Sequence, residues 1–264
     1  MLLAFDIGNT NIKTAIFNNG NLVQEWRIHT DAKRTGDEYF SILRTLFKDI
    51  ELDIKLINNA IISSVVPQLI GPFVIVTQRF LNKKPIIVGP DIYEKLPIKI
   101  PKSAVHEIGT DLLCDALQAW NTFHSACIVA DFGTALSFTA IDNNANIAGI
   151  AIAPGIGTAL NSLFNNTAQL PSVSLEIPHT SLGTNTIECI QSGILYGYKG
   201  LVEGMILQMK KDLEKQTNVK ITDIHTIATG GLNSMLSPIT KVFEKLDKML
   251  TLNGLYSIAE YTLK

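Results

Sequence analysis

Laid over itself at an offset of 125 residues, the chain repeats: DIGNTNIKTAIFNNGN, beginning at Asp6, falls on DFGTALSFTAIDNNAN, beginning at Asp131. Eight of the sixteen positions are identical: Asp6/Asp131, Gly8/Gly133, Thr14/Thr139, Ala15/Ala140, Ile16/Ile141, Asn18/Asn143, Asn19/Asn144 and Asn21/Asn146. Each copy follows a short apolar run, LLAF or CIVA, and ends at an Asn-rich turn, so each reads as strand, Asp-x-Gly turn, strand. A duplicated unit of this size predicts two similar α/β halves facing each other across a cleft.

The segments between the copies alternate as such halves require. DEYFSILRTLF, Asp37 to Phe47, spaces its apolar residues as a helix after an acidic start, and NAIISSVVP reads as a buried strand ended by proline. Ile86 to Val88 is a short strand, residues 89 to 108 carry three prolines and read as a loop, and Asp111 to Phe123 reads as a helix. IAGIAIAPGIGTALNSLF gives strand, Pro-Gly turn and helix. A long helical stretch follows, with Gly193, Gly197, Gly200 and Gly204 near one face, where another backbone can approach within the protein or across a dimer. HTIATGG is a last strand. The division expected is residues 1–115 and 116–264.

Composition narrows the function. With 22 Lys+Arg against 24 Asp+Glu the formal charge is −2, which argues against an electrostatic nucleic-acid or membrane partner. Hydrophobic residues at 46% are enough for a large core or a subunit interface. Cys114, Cys127 and Cys189 form no CxxC pair, so neither a disulfide framework nor a zinc ribbon fits, and a reducing cytoplasm is expected. The start MLLAFDIGNT lacks a basic region, and the longest uncharged apolar stretch, Leu56 to Gln78, is broken by Ser63, Ser64, Pro67, Gly71 and Pro72. Neither a signal peptide nor a membrane span is read.

Asp6-Ile7-Gly8-Asn9-Thr10 suits a phosphate loop: Gly8 permits the tight turn, Asn9, Thr10 and Asn11 supply donors, Lys13 reaches the face of Asn11, and Asp6 can hold Mg²⁺ through water. A capped hairpin is the bland alternative, and recurrence at Asp131-Phe132-Gly133-Thr134 weighs against it. There is no GxxxxGK[ST], and Gly155-Ile156-Gly157 lacks the third glycine of a dinucleotide fingerprint. Gly230-Gly231 is a close-approach point for a base or ribose, or simply a turn. Asp111, in HEIGTDLLCDAL, stands at a helix start where a general base for phosphoryl transfer can work, with Asp115 one turn later. Both also suit plain N-terminal helix acids. His106 is a loop histidine. His29, His124, His179 and His225 have no metal-ligand spacing, and Ser192 in QSGIL has no nucleophile motif.

DIGNTN, ISSVVP, GTD before a helix, DFGTA, APGI, TAQLP, GTNTIECIQSGILYGY, ATGG and LTLNGL, in this order, resemble the type III pantothenate kinases. That family belongs to the acetate kinase, sugar kinase, Hsp70 and actin superfamily. The resemblance spans nearly the whole chain, and the Gly183 to Tyr198 string and LTLNGL are its most specific parts. It implies two RNase-H-like halves with mixed sheets flanked by helices, ATP in the cleft, and a homodimer that helps build the pantothenate site. The implied reaction is γ-phosphoryl transfer from ATP to pantothenate, the first step of coenzyme A synthesis. By position, Asp6, Ile7, Gly8, Asn9, Thr10, Asn11, Ile12 and Lys13 hold the ATP phosphates and Mg²⁺, Thr134 contacts ATP, and Asp111 is the base. Asp131 holds K⁺ or NH₄⁺, and Gly109, Thr110 and, from the other side of the site, Thr186 contact pantothenate.

The departures fall on the acceptor side. The family's GxDR ends here in Leu112, which removes a guanidinium worth about 2 to 5 kcal/mol where such a pair is buried. Lys102 occupies the place of a tyrosine nine positions before the base and, with Lys99, is a candidate replacement charge; Leu136 replaces a threonine. Two alternatives follow: a kinase of a different hydroxyl, or a nucleotide-binding paralogue without turnover.

Overall fold

The computed structural model describes residues 1–50, 52–167, 169–231 and 233–264. The TAQLP string includes Ala168, which lies outside them. The chain forms two compact units, one of Met1–Gln118 with Leu250–Lys264, the other of Ala119–Met249.

The first unit opens with β1 (Leu2–Ile7), β2 (Asn11–Asn18) and β3 (Asn21–His29), followed by α1 (Gly36–Asp49), β4 (Asn59–Ser64), α2 (Pro67–Leu81), β5 (Ile86–Ile87) and α3 (Pro90–Tyr93). α4 (Thr110–Phe123) carries the chain out of it. All six residues of β1 are buried, as an apolar run covered on both faces must be, and the sheet order is β3-β2-β1-β4-β5. β2 and β3 close through Asn19 and Gly20, both at positive φ (48° and 84°), the two-residue hairpin turn that Asn-Gly favours. α1 starts at a capping box between Thr35 and Glu38, and α2 places Pro67 in its first turn, where no N–H is needed. Phe5, Tyr39 and Phe73 lock these helices onto β1, with ring centroids 5.0 Å (Phe5–Phe73) and 4.9 Å (Tyr39–Phe73) apart. The proline-rich stretch 89–108, expected as loop, holds α3 and a 3-10 turn, Lys102–Ala104.

The second unit repeats the plan with β6 (Cys127–Phe132), β7 (Ala135–Ile141), β8 (Ile147–Pro154), α5 (Ile156–Asn165), α6 (Thr186–Thr217), β9 (His225–Thr229), α7 (Asn233–Leu236) and β10 (Lys245–Leu246). Its sheet order, β10-β9-β6-β7-β8, matches the first strand for strand, with the first three antiparallel and the last two parallel in each. Both sheets are thus mixed and RNase-H-like.

The last helix, α8 (Leu250–Leu263), returns to the first unit, so the expected division at residue 115 is corrected twice. The crossing falls after Gln118, and residues 250–264 leave the second half. The reason is packing. LTLNGL buries Leu250, Leu252 and Leu255, and Gly254 lies so tightly on the Cys114 carbonyl of α4 that any Cβ would collide with it. Tyr256 packs on Phe17, with ring centroids 5.0 Å apart, and Ser257 Oγ donates to Gln118 Oε1 at 3.0 Å.

The repeat is real, but its residue matches are partly out of register. Phe5 faces Thr14, whereas Ala130, the counterpart of Phe5 at offset 125, faces Phe138, which is offset from Thr14 by only 124. The first turn explains the slip: Gly8 N–H donates to Asn11 O at 3.1 Å, three residues on, and Gly133 N–H to Ala135 O at 3.0 Å, two residues on. The next turn is one residue longer in the second copy, since Phe17 pairs with Leu22 but Ile141 with Ile147, and the offset returns to 125. A one-residue shift sends a side chain to the opposite face. Thr14 therefore shares the core face of Phe5, while Thr139 shares that of Asp131. The identities at Thr14/Thr139, Ala15/Ala140 and Ile16/Ile141 do not superpose.

Candidate active site

In the first unit, the pleat and the register set Lys13 of β2 and Ser63 of β4 on either side of Asp6. Lys13 Nζ lies 3.5 Å from Asp6 Oδ2. Ser63 Oγ donates to Thr110 Oγ1 at 2.8 Å, tying the first residue of α4 to the end of β4. Asp111 follows, half-buried, its Oδ1 accepting the Leu112 N–H at 2.8 Å. A Cβ on Gly109 would lie 2.5 Å from that Oδ1, so any side chain there would push the Asp111 carboxylate aside.

Burial raises the pKa of Asp6; Lys13 opposes the rise and the charge of Asp111 adds to it. Burial likewise raises Asp111, against hydrogen bonds from the backbone and the field of Lys13. The two carboxyls and the ammonium therefore form one electrostatic cluster, with a base of increased proton affinity at a helix start. Cys114 is buried behind it with a thiol pKa pushed well above the ordinary range, chiefly by burial, and is no nucleophile.

The loop beside this cluster is braced from the residue after β3: Thr30 Oγ1 donates to Gly8 O at 2.7 Å and Thr30 N–H to Thr10 O at 3.0 Å. Ile7 and Ile12 anchor its ends in the core, and Asn9 and Thr10 are exposed at its tip. Leu112 turns inward, 9% exposed. Lys102 sits exposed in its 3-10 turn and is not among the groups that move the pKa of Asp6 or Asp111.

In the second unit, the Thr134 carbonyl accepts the Gly155 N–H at 3.0 Å and Thr158 Oγ1 at 2.6 Å, clamping the start of α5 onto the Gly133–Thr134 turn. A Cβ on Gly155 would overlap the Gly133 carbonyl. Gly230, at φ +90°, lies against Asp131: a Cβ there would fall 2.5 Å from Asp131 Oδ1 and 2.6 Å from the Phe132 backbone. Thr186 opens α6, whose N-cap Asn185 accepts the Glu188 N–H at 3.0 Å. Thr186 and Cys189 line a cavity of about 690 Å³ with Leu163, Leu170 and Ile190.

The structure thus brings Asp6, Lys13, Thr110 and Asp111 together in one unit, and sets Asp131 near the end of β6 and Thr134 in the turn that follows it in the other. Sequence reading missed Ser63, Thr30 and Thr158. Only Ser63 left a signal, in ISSVVP, and using it requires the β1–β4 register.

A family model described as type III pantothenate kinase matches residues 2–208. The chain belongs to the type III pantothenate kinases. It is 38% identical over 260 residues to a type III pantothenate kinase of Moorella thermoacetica, covering 98% of this chain and 99% of the relative. It is 35% identical over 260 residues to one of Exiguobacterium sibiricum, with coverage of 98% and 99%. Among solved structures, a Campylobacter jejuni protein described as a Baf family transcriptional activator superposes with a TM-score of 0.60 at 17% identity, covering 98% of this chain and 97% of that one. A Sinorhizobium meliloti protein described as a 2-dehydro-3-deoxygalactonokinase gives 0.55 at 9% identity, with coverage of 98% and 96%. These two likenesses show the fold alone. Among the described residues no helix is long and apolar enough to cross a membrane.

Proposed function

We propose that the chain transfers the γ-phosphoryl group of ATP to the terminal hydroxyl of pantothenate, giving 4'-phosphopantothenate, ADP and a proton, the first step of coenzyme A biosynthesis. The observation that carries this reading is Asp111, a half-buried carboxyl of raised proton affinity at the start of α4, within the field of Lys13. Asp111 takes the hydroxyl proton as the oxygen attacks phosphorus, and its raised pKa makes it a better acceptor than a solvated carboxylate. Gly109, Thr110, Leu112 and Lys102 surround the acceptor, and Thr186 completes its site.

Asp6, Ile7, Gly8, Asn9, Thr10, Asn11, Ile12 and Lys13 hold the phosphates, with Asp6 reaching Mg²⁺ through water, and Thr134 contacts ATP. Asp131, approached closely by the Gly230 backbone, suits a monovalent cation, K⁺ or NH₄⁺, which prefers such oxygen donors. When bound, these cations offset the negative charge of the triphosphate. The working form is a cytoplasmic homodimer. Its support is the row Gly193, Gly197, Gly200 and Gly204 on α6: all four are exposed, and a Cβ on any of them would meet nothing within 4 Å, so the close-approach face has no occupant among the described residues.

The test is a coupled assay with ATP, Mg²⁺ and K⁺, with and without pantothenate, beside Asp111→Asn. Turnover that needs pantothenate and is lost in the variant is expected; its absence in folded, ATP-binding protein overturns the reading. Leu112 adds a sharper expectation. Leu112→Arg restores a guanidinium for the pantothenate carboxylate and should lower KM for pantothenate while leaving KM for ATP unchanged.

A further inference from the structure

The row of side chains through Asp6 has a counterpart through Asp131. In the first unit it reads Lys13–Asp6–Ser63 across β2, β1 and β4, and in the second Ser137–Asp131–Thr229 across β7, β6 and β9. Ala130, Phe132, Phe138 and Ala228 face the apolar core of the second unit, so strand alternation puts Asp131, Ser137 and Thr229 together on the other face. Where the first row sets an ammonium beside its aspartate, the second sets a hydroxyl on either side. Ser137 is buried at 6% exposure and Thr229 at 0%, and Thr229 Oγ1 has no hydrogen-bond partner among the described residues. A buried hydroxyl without a partner is costly unless something else satisfies it.

We infer that Ser137 and Thr229 are the hydroxyl ligands flanking Asp131 at a monovalent-cation site. Three neighbouring oxygen side chains, one of them a carboxylate, match the donors a weakly hydrated K⁺ or NH₄⁺ accepts. Gly230 keeps the site accessible to such an ion, because any side chain there would fall on Asp131 Oδ1. The inference rests on the assignment of Asp131 to the cation and adds the residues that complete the shell.

The experiment measures melting temperature as KCl replaces choline chloride at constant ionic strength, with NH₄Cl as a second probe, for wild type, Asp131→Asn, Thr229→Val, Thr229→Ser and Ser137→Ala. A ligand of the native state raises the melting temperature with its concentration. Wild type is expected to rise with K⁺. Thr229→Val and Ser137→Ala should each shift the midpoint to about tenfold higher K⁺, while Thr229→Ser keeps it. In choline alone, Thr229→Val should melt at or above wild type, since it removes a hydroxyl that then has no partner. A merely structural role would lower it. If Asp131→Asn abolishes the K⁺ effect and the two hydroxyl variants keep the wild-type midpoint, the ligand assignment falls and Asp131 stands. If wild type shows no K⁺-specific rise, the cation reading of Asp131 falls and takes this inference with it.

Discussion

The hairpins Asp6 to Lys13 and Asp131 to Ser137 are built on one strand plan and differ by a single residue in the turn. Because the first turn is longer by one and the next is shorter by one, strand order and ladder are preserved while side chains in between exchange faces. Duplication has kept what the backbone needs and left each row of side chains free to diverge. One unit has an internal ammonium beside its aspartate, and the other has a serine. The same freedom lets Asp111 gather on the first unit's cluster at the start of α4, whereas α8, the helix that follows the last strand of the second copy, starts at Leu250.

The most severe way to break the comparison is at that unmatched residue. Asp111→Asn should lower kcat by about 10³-fold, within the range for a general base, with circular dichroism unchanged. Next come the turns. Gly155→Ala would drive a methyl into the Gly133 carbonyl and should cost about 3 kcal/mol in urea unfolding, whereas Gly133→Ala meets its nearest atom, Ala135 O, at 3.4 Å and should cost under about 1 kcal/mol.

The pH profile sharpens the asymmetry further. The pKa of Asp111 is raised above its ordinary 3.8, so the acid limb of kcat/KM should be shifted upward from that value, and Lys13→Met, which removes an opposing charge, should move it higher still. For stability the sign is negative. A raised carboxyl binds protons more tightly in the native state than in the unfolded one, so its contribution is present at low pH and is lost as pH rises from about 3.8 through the folded pKa. Urea titrations from pH 4 upward should show a flatter loss for Asp111→Asn than for wild type. The smallest effect belongs to Thr14, which stands in an apolar core at the position where the second unit has Phe138, its Oγ1 buried with no hydrogen-bond partner among the described residues. Thr14→Val should stabilise by about 1 kcal/mol, and thermal unfolding measures it.

Much of this was legible in the sequence. LLAF and CIVA announced the two central strands because a strand covered on both faces must be apolar throughout, and the Asp-x-Gly turns followed from glycine at the point of closure. Asp111 could be picked out by its place at a helix start. The register slip could not be read, because counting identities gives no weight to which face a residue occupies. Nor could the Ser63–Thr110 bond, whose partners are 47 residues apart and meet only through the β1–β4 pairing. The destination of LTLNGL was hidden for a similar reason: its leucines specify a buried helix face without saying which sheet receives it.

Since α8 closes over the first unit, that unit is discontinuous, and this gives synthesis an order. The ribosome makes the first 118 residues early but must complete the 131 residues from Ala119 to Met249 before the closing helix exists, roughly 7 to 26 s at about 5 to 20 residues per second. The second unit, contiguous in the chain, can be finished during that interval. A released chain truncated before Leu250 should therefore resist proteolysis in residues 119–249 and be cut within residues 1–118.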